Sequence, residues 1–487
     1  MSPTLQSRPP AWLAFLAHWG QRLRPQSRLM LLSMLVGVIA GLGAVLFYIA
    51  GQVVLQFALT NIAGYAPIQA GGESALFTPG SEFARADVTL RPWLLVVVAA
   101  VGGLLCGIII YTWAPEAEGH GTDAVINSFH HHDGEIRPRV PLIKMIASAL
   151  TLGTGGSGGR EGPIAQIGAG FGSYLGGVLR LSARERRLLM AAGMGAGIAA
   201  IFRAPLAGAL FAAEVLYRGS DLESDVLIPA GLGSVTAYCT FGSVFGWSPL
   251  FNIPRHILDV LVFQNPLELI AYLLLAIVMV ALAAIYVHTF YGLTRAFHRL
   301  PFKPHFRPML GAALTALLAV AVYYALGRDQ RALQILSFGY GIIQQSLVLA
   351  PSGETAWHFA AVLMAVSLGK LLGTSLTIGS GGSAGVFGAS MVIGGCGGGA
   401  LGLLLNQVAP GMTPHPACFV IVGMAGFFAA AAKTPFSTIV IVSEMTGNYN
   451  LLLPTLWVCS LAFLLSDPKS IYSEQVANVS SSPVHRH

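Results

Sequence analysis

From Trp93 to Trp113 the chain runs 21 residues without a charged side chain. About 20 predominantly apolar residues suffice for a helix to cross a hydrocarbon core roughly 30 Å thick. Leu31–Leu46 with its flanks is a second such run, and apolar segments of this kind recur along the sequence. Of 487 residues, 54% are hydrophobic and only 10% charged. A soluble chain has no use for so much apolar surface, so the sequence predicts a polytopic, all-α membrane protein in a lipid bilayer. The net charge of +6 comes from loops and termini and reads as topology, with no nucleic-acid partner.

Many of the apolar segments are short and broken. Pro163, Pro205, Pro229, Pro435 and Pro454 all interrupt apolar sequence, and the chain holds 58 glycines. Full-length spans need no such interruptions, whereas discontinuous helices lining a buried site do. The densest break is Thr151–Pro163, TLGTGGSGGREGP, and a similar stretch returns 226 residues later at Thr377–Ala389, TIGSGGSAGVFGA. Gly193-Met194, Ala204-Pro205 and Glu214 likewise match Gly423-Met424, Thr434-Pro435 and Glu444 at an offset of 230. Two repeats, 29–250 and 266–466, therefore share a plan, with a four-residue insertion between their blocks. The residues alone leave open whether the repeats are inverted or parallel.

Residues 1–28 carry Arg8, Arg22, Arg24 and Arg28 with no acid, and no small-residue cleavage site follows the first apolar run. The excess of positive charge predicts a cytoplasmic N-terminus, a first span over 29–60 and an outer loop over 61–92 with Glu73, Glu82 and Asp87. The stretch 114–141 and the basic loops Arg180–Arg187 and Arg295–Arg307 then face inside. Residues 467–487 form a short polar C-terminal segment, also cytoplasmic. The five cysteines stand at unrelated spacings and read as buried free thiols.

The two glycine-rich breaks each open a half-helix. A helix start offers unpaired N–H groups and about half a positive charge, so two such ends aimed at one point hold an anion without a full cationic side chain. Binding is then shallow enough for release. Glu161, the one acid in the first break, competes with that anion: ionised it takes the anion's place, protonated it leaves. A capping glutamate that only satisfies the helix start is the plainer alternative.

Gly159-Arg160-Glu161-Gly162-Pro163 resembles the GREGP motif of the CLC chloride channel and transporter family. Gly385-Val386-Phe387-Gly388-Ala389 resembles its GxFxP, with Ala389 in place of proline. Gly119-His120-Gly121-Thr122-Asp123 resembles its GSGIP with three departures, and Ser470–Tyr472 resembles its terminal tyrosine element. The likeness spans about residues 29–475 and implies an inverted repeat of discontinuous, tilted helices, about 17–18 helical segments per subunit, in a homodimer with one pore per subunit. It implies a multi-pass protein of the cell's inner membrane, carrying chloride, with no cofactor other than the bound ion. Glu161 would be the gate. His120, Gly121, Arg160, Gly162, Val386, Phe387 and Tyr472 would form the anion pathway.

Two departures bear on mechanism. His120 stands where the family's serine faces the ion, which admits a fluoride-selective relative beside the chloride reading. Val215, after Glu214, occupies the inner position where proton-coupled members carry a glutamate. Valine cannot take up a proton, so coupling by that route is weak or absent, and channel and exchanger both stay open. Lys144, within an apolar helix, either lends positive potential to the pathway, snorkels or pairs with Glu118. The run His130-His131-His132-Asp133 reads as a solvated loop rather than a metal site. An intramembrane hydrolase would need a nucleophile–base or metal set that the scattered histidines do not supply, so the chain is read as no enzyme.

Overall fold

A computed structural model describes residues 25–73, 76–77, 89–349, 351, 353–409 and 413–485. Seventeen α-helices lie among them, with two isolated bridges and no extended strand. Glu82 and Asp87 of the expected outer loop, and Arg8, Arg22 and Arg24 of the N-terminal tail, fall outside the described residues.

Among the described residues, seven helices are long and apolar enough to cross a membrane. The first runs Pro25–Leu55 and passes directly into a π-helical turn, Gln56–Ala63. At 31 residues it is about 46 Å long, more than a bilayer core requires, a mismatch that tilt accommodates. At the other extreme, Pro205–Glu214 has 10 residues and reaches about 15 Å, half a membrane. The half-helices Pro205–Glu214 and Pro435–Thr446 are related by the sequence repeat, and so are Glu161–Val178 and Phe387–Val408; these last two, opened by the glycine breaks, are longer than the half-helices expected, and Phe387–Val408 is one of the seven. Each proline that opens a half-helix sits where its missing N–H would have been unpaired anyway. Pro229 behaves otherwise than expected: it lies inside the continuous helix Ser224–Phe245, near enough to the start that it removes a single ladder bond. The four-residue insertion is visible as helix length, 18 residues in Glu161–Val178 against 22 in Phe387–Val408.

The repeats meet antiparallel. Gly159 N donates to Gly385 O and Gly385 N to Gly159 O, both at 2.6 Å. Glu214, at the end of its half-helix, accepts from Phe436 N (2.9 Å) and Ser437 N (2.7 Å) at the start of the partner half-helix. Glu444 does the same for Leu206 N (3.3 Å) and Ala207 N (2.9 Å). Reciprocal contacts of this kind require a two-fold axis between antiparallel elements, the inverted arrangement that the sequence left open.

One face of the molecule gathers Arg28 and the basic loop Arg180–Arg187. Arg28 pairs with Glu185, Arg187 with Asp133 (2.8 Å), and Arg186 Nε donates to Asp133 O (2.8 Å). The C-terminal segment folds onto this face: His130 Nδ1 meets Ser482 Oγ at 2.9 Å, and Val476 bridges to Tyr217. His130 is thus buried, in contrast to the solvated loop expected of it, while His131 and His132 are exposed. Of the cysteines, Cys239 is exposed, because it lies on the outward side of the Ser224–Phe245 helix, and the other four are buried.

Candidate functional site

The two glycine-rich breaks end at one buried point. Glu161 opens Glu161–Val178 and Phe387 opens Phe387–Val408. Among the described residues, Val386 N and Phe387 N have no hydrogen-bond acceptor, as the first amides of a helix must. Gly388 N, the next amide, donates to Glu161 Oε2 at 3.1 Å. The Glu161 side chain, 1% exposed, therefore sits on the start of the facing helix, where a negative charge is favoured. Its other oxygen accepts from Tyr340 Oη.

Tyr340 belongs to a second glycine hinge, Phe338-Gly339-Tyr340, in which Gly339 has φ +75° and Tyr340 starts the helix Tyr340–Val348. Its counterpart is His120-Gly121-Thr122, where Gly121 has φ +85° and Thr122 starts Thr122–His131. A side chain at Gly121 would be strained by that backbone and would meet Gln166 Oε1 at 2.8 Å and Gly162 O at 3.0 Å. Gly162 has equally little room: a Cβ there would collide with His120 O.

A lysine braces each hinge from behind. Lys144 Nζ donates to Ala117 O (3.0 Å) and Gly119 O (2.7 Å), and Lys370 Nζ to Ile335 O (3.3 Å) and Ser337 O (2.6 Å). Both are fully buried. Lys144 thus neither snorkels nor pairs with Glu118; it binds carbonyls that lead into the hinge. Lys370 was missed in the sequence, although it stands 226 residues after Lys144, the offset of the glycine motifs.

On the side of the basic face, Tyr472 closes the site. Its ring is 5.4 Å from His120 and 6.5 Å from Phe428, which in turn lies 4.1 Å from Phe387. The Tyr472 hydroxyl is buried without a hydrogen-bond partner of normal geometry, with Thr122 nearby. His120 Nε2 is 3.3 Å from Asp123 Oδ2, while its Nδ1 is buried and unpartnered. Asp123 also accepts from Ser473 Oγ (2.8 Å) and so ties the tyrosine segment to this hinge.

The structure thus brings His120, Gly121, Glu161, Gly162, Phe387 and Tyr472 into one neighbourhood. The Arg160 side chain turns away from it. It pairs with Glu73 and lies 5.3 Å from the Tyr48 and Phe338 rings and 5.6 Å from the Tyr340 ring. In the sequence Glu73 is only a loop acid, and nothing there pairs it with Arg160 across 87 positions. Val215 is fully buried and its carbonyl accepts from Gln475 Nε2 at 3.0 Å. Neighbouring Glu214 has both oxygens committed to the backbone amides of the opposite repeat. Among the described residues no group of three His, Cys, Asp or Glu is placed to hold a metal ion.

The family description "Voltage gated chloride channel" matches residues 102–467, three quarters of the sequence. The chain belongs to the CLC family. Among CLC relatives, it is 28% identical over 399 residues to a putative chloride channel protein ClcB-like of Ralstonia nicotianae, covering 79% of this chain and 86% of the relative. It is 30% identical over 408 residues to the H(+)/Cl(−) exchange transporter ClcA of Yersinia pestis, covering 80% and 79%. Two solved CLC structures superpose with TM-score 0.73. One is a CLC-type fluoride/proton antiporter, 25% identical over 93% of this chain and 98% of the other. The second is a slow cyanobacterial Cl−/H+ antiporter, 24% identical over 93% and 97%, whose likeness speaks to the fold. As a CLC protein the chain is a multi-pass anion transporter rather than an enzyme.

Proposed function

We propose that the chain carries chloride past the facing starts of Glu161–Val178 and Phe387–Val408, with Glu161 as the gate. The carrying observation is the Glu161 carboxylate on Gly388 N, beside the unpaired amides of Val386 and Phe387. A carboxylate held there by a backbone amide and a tyrosine hydroxyl marks the spot as one where a chloride ion is equally at home. Ionised, Glu161 fills the site; protonated, it releases the amides to the ion. Val386 N, Phe387 N and Tyr472 Oη are the ligands assigned to the central chloride, and the His120–Gly121 hinge its inner approach. Arg160, neutralised by Glu73, acts through its backbone at the start of the helix.

Proton transfer through the inner side lacks a carrier in this reading. Val215 cannot ionise, and Glu214 is engaged as a helix cap. A second reading, proton-coupled exchange with Glu161 protonated along another route, is favoured by the exchange activities named for the Yersinia relative and for the structural neighbours. The imidazole at His120 and the fluoride/proton antiporter among those neighbours give fluoride a place as the alternative ion. The active unit is taken as a homodimer in the inner membrane. Both termini are assigned to the cytoplasm, since the Arg28 pair and the docked C-terminal segment share the basic face.

Reconstituted liposomes separate these readings. A chloride gradient that drives chloride flux, with the reversal potential at the chloride Nernst value and no uphill proton movement, is the expected result. Uphill proton movement driven by chloride establishes exchange instead, and fluoride flux without chloride flux establishes the alternative ion. Absence of all anion flux overturns the proposal.

A further inference from the structure

The long helix Glu268–His298 sends a second tyrosine toward the site. Tyr286 is fully buried, and its hydroxyl has no hydrogen-bond partner of normal geometry. Its ring lies 6.2 Å from Phe290, which is 6.2 Å from His120, which is 5.4 Å from Tyr472. Tyr286 and Tyr472 stand within electrostatic range of each other, and Tyr472 within range of Glu161. On its other side Tyr286 meets Ser390, in the first turn of Phe387–Val408. Ser390 Oγ donates to Val386 O at 2.8 Å, so toward Tyr286 it can only accept. Three buried polar atoms in one neighbourhood have no hydrogen-bond partner of normal geometry: Tyr286 Oη, Tyr472 Oη and His120 Nδ1.

Buried polar groups are nearly always satisfied, and an exception needs a reason. The same helix supplies two contrasts. Tyr291 Oη donates to Ile471 O at 2.7 Å, so a tyrosine here takes a carbonyl when one is in reach. Tyr272 Oη also has no partner of normal geometry, but it lies beside Cys418, 14 residues away and about 21 Å along the helix, with its ring against Phe419 (5.5 Å) and far from the gate.

We propose that Tyr286 is a direct ligand of the transported anion, donating its hydroxyl to the central ion alongside Tyr472. This rests on the anion site proposed above and adds a donor that the motifs do not contain. Two backbone amides and two phenols then surround the ion. All four donors are neutral, so the ion is desolvated without being trapped by a full charge.

Chloride titration by calorimetry of the full-length protein, compared with Tyr286→Phe, Tyr472→Phe and Tyr272→Phe, tests the assignment. The expected result is a weakening of about tenfold to a hundredfold for Tyr286→Phe, as for loss of one hydrogen bond to a charged group, with Tyr272→Phe unchanged. Wild-type affinity in Tyr286→Phe beside a weakened Tyr472→Phe overturns this inference and leaves the anion site standing. No chloride binding by the wild type overturns both. Crystals of the wild type soaked in bromide need no variant to fold. An anomalous peak within hydrogen-bond distance of both hydroxyls supports the assignment, and a peak touching Tyr472 alone contradicts it.

Discussion

Glu161 has two neighbours that hold its charged form, Gly388 N and Tyr340 Oη, and they are unequal in what a mutation can remove. The amide cannot be deleted, but the hydroxyl can. Tyr340→Phe takes away one hydrogen bond to a charged group, about 1.5–3 kcal/mol. With Glu161 as the proposed gate, its ionised form is then easier to displace, and flux is expected to reach half its acid maximum at a pH higher by about one to two units. Flux against pH in liposomes checks this; an unmoved or downward-shifted curve contradicts it. Arg160 makes a different prediction. Its charge is cancelled by Glu73 and wrapped by three aromatic rings. Glu73→Gln leaves that buried charge uncompensated, so it is expected to lower the thermal midpoint of the purified protein and strengthen chloride binding. Unchanged stability and affinity would show the pair to be idle. Glu161 and Tyr472 were legible in the sequence because motifs carry them. Tyr340 and Glu73 were not, since each is brought to its partner by the fold alone, across 179 and 87 positions.

The half-helices work as elements because their ends are satisfied by one another. Glu214 and Glu444 each cap the start of the opposite repeat, and each cap is a pair of otherwise orphaned amides. Glu214→Ala is expected to cost about 2 kcal/mol of stability while leaving the ratio of protons to anions as in the wild type. Thermal unfolding and coupled flux on the same preparation separate these effects, and a changed ratio with stability intact would make Glu214 a proton carrier instead. The repeat announced both glutamates at an offset of 230, but not that they face each other, because sequence spacing carries no sense of direction. The C-terminal segment offers a pH test on the basic face, outside the spans. Burial pushes His130 down to about 4. Between the ordinary histidine value near 6.5 and about 4 the unfolded chain binds a proton that the folded chain refuses, so stability falls as pH drops through that window. The wild type is expected to lose more stability between pH 7 and pH 5 than His130→Gln; equal losses would contradict this.

At the scale of the whole molecule, the apolar runs and the paired glycine breaks announced a membrane protein in two similar halves. What they could not announce was the geometry of the meeting. The antiparallel contact of Gly159 with Gly385 and the reciprocal lysines behind the hinges depend on how the halves dock, which no local pattern encodes. That docking turns two helix starts toward one buried point and places the Glu161 carboxylate there. The most direct test is chloride flux from liposomes across pH 4–8 for the wild type, Glu161→Gln and Glu161→Ala. If Glu161 and chloride compete for the same amides, the wild type speeds up as pH falls while both variants run at a rate independent of pH. A wild-type pH dependence retained in both variants would contradict the account.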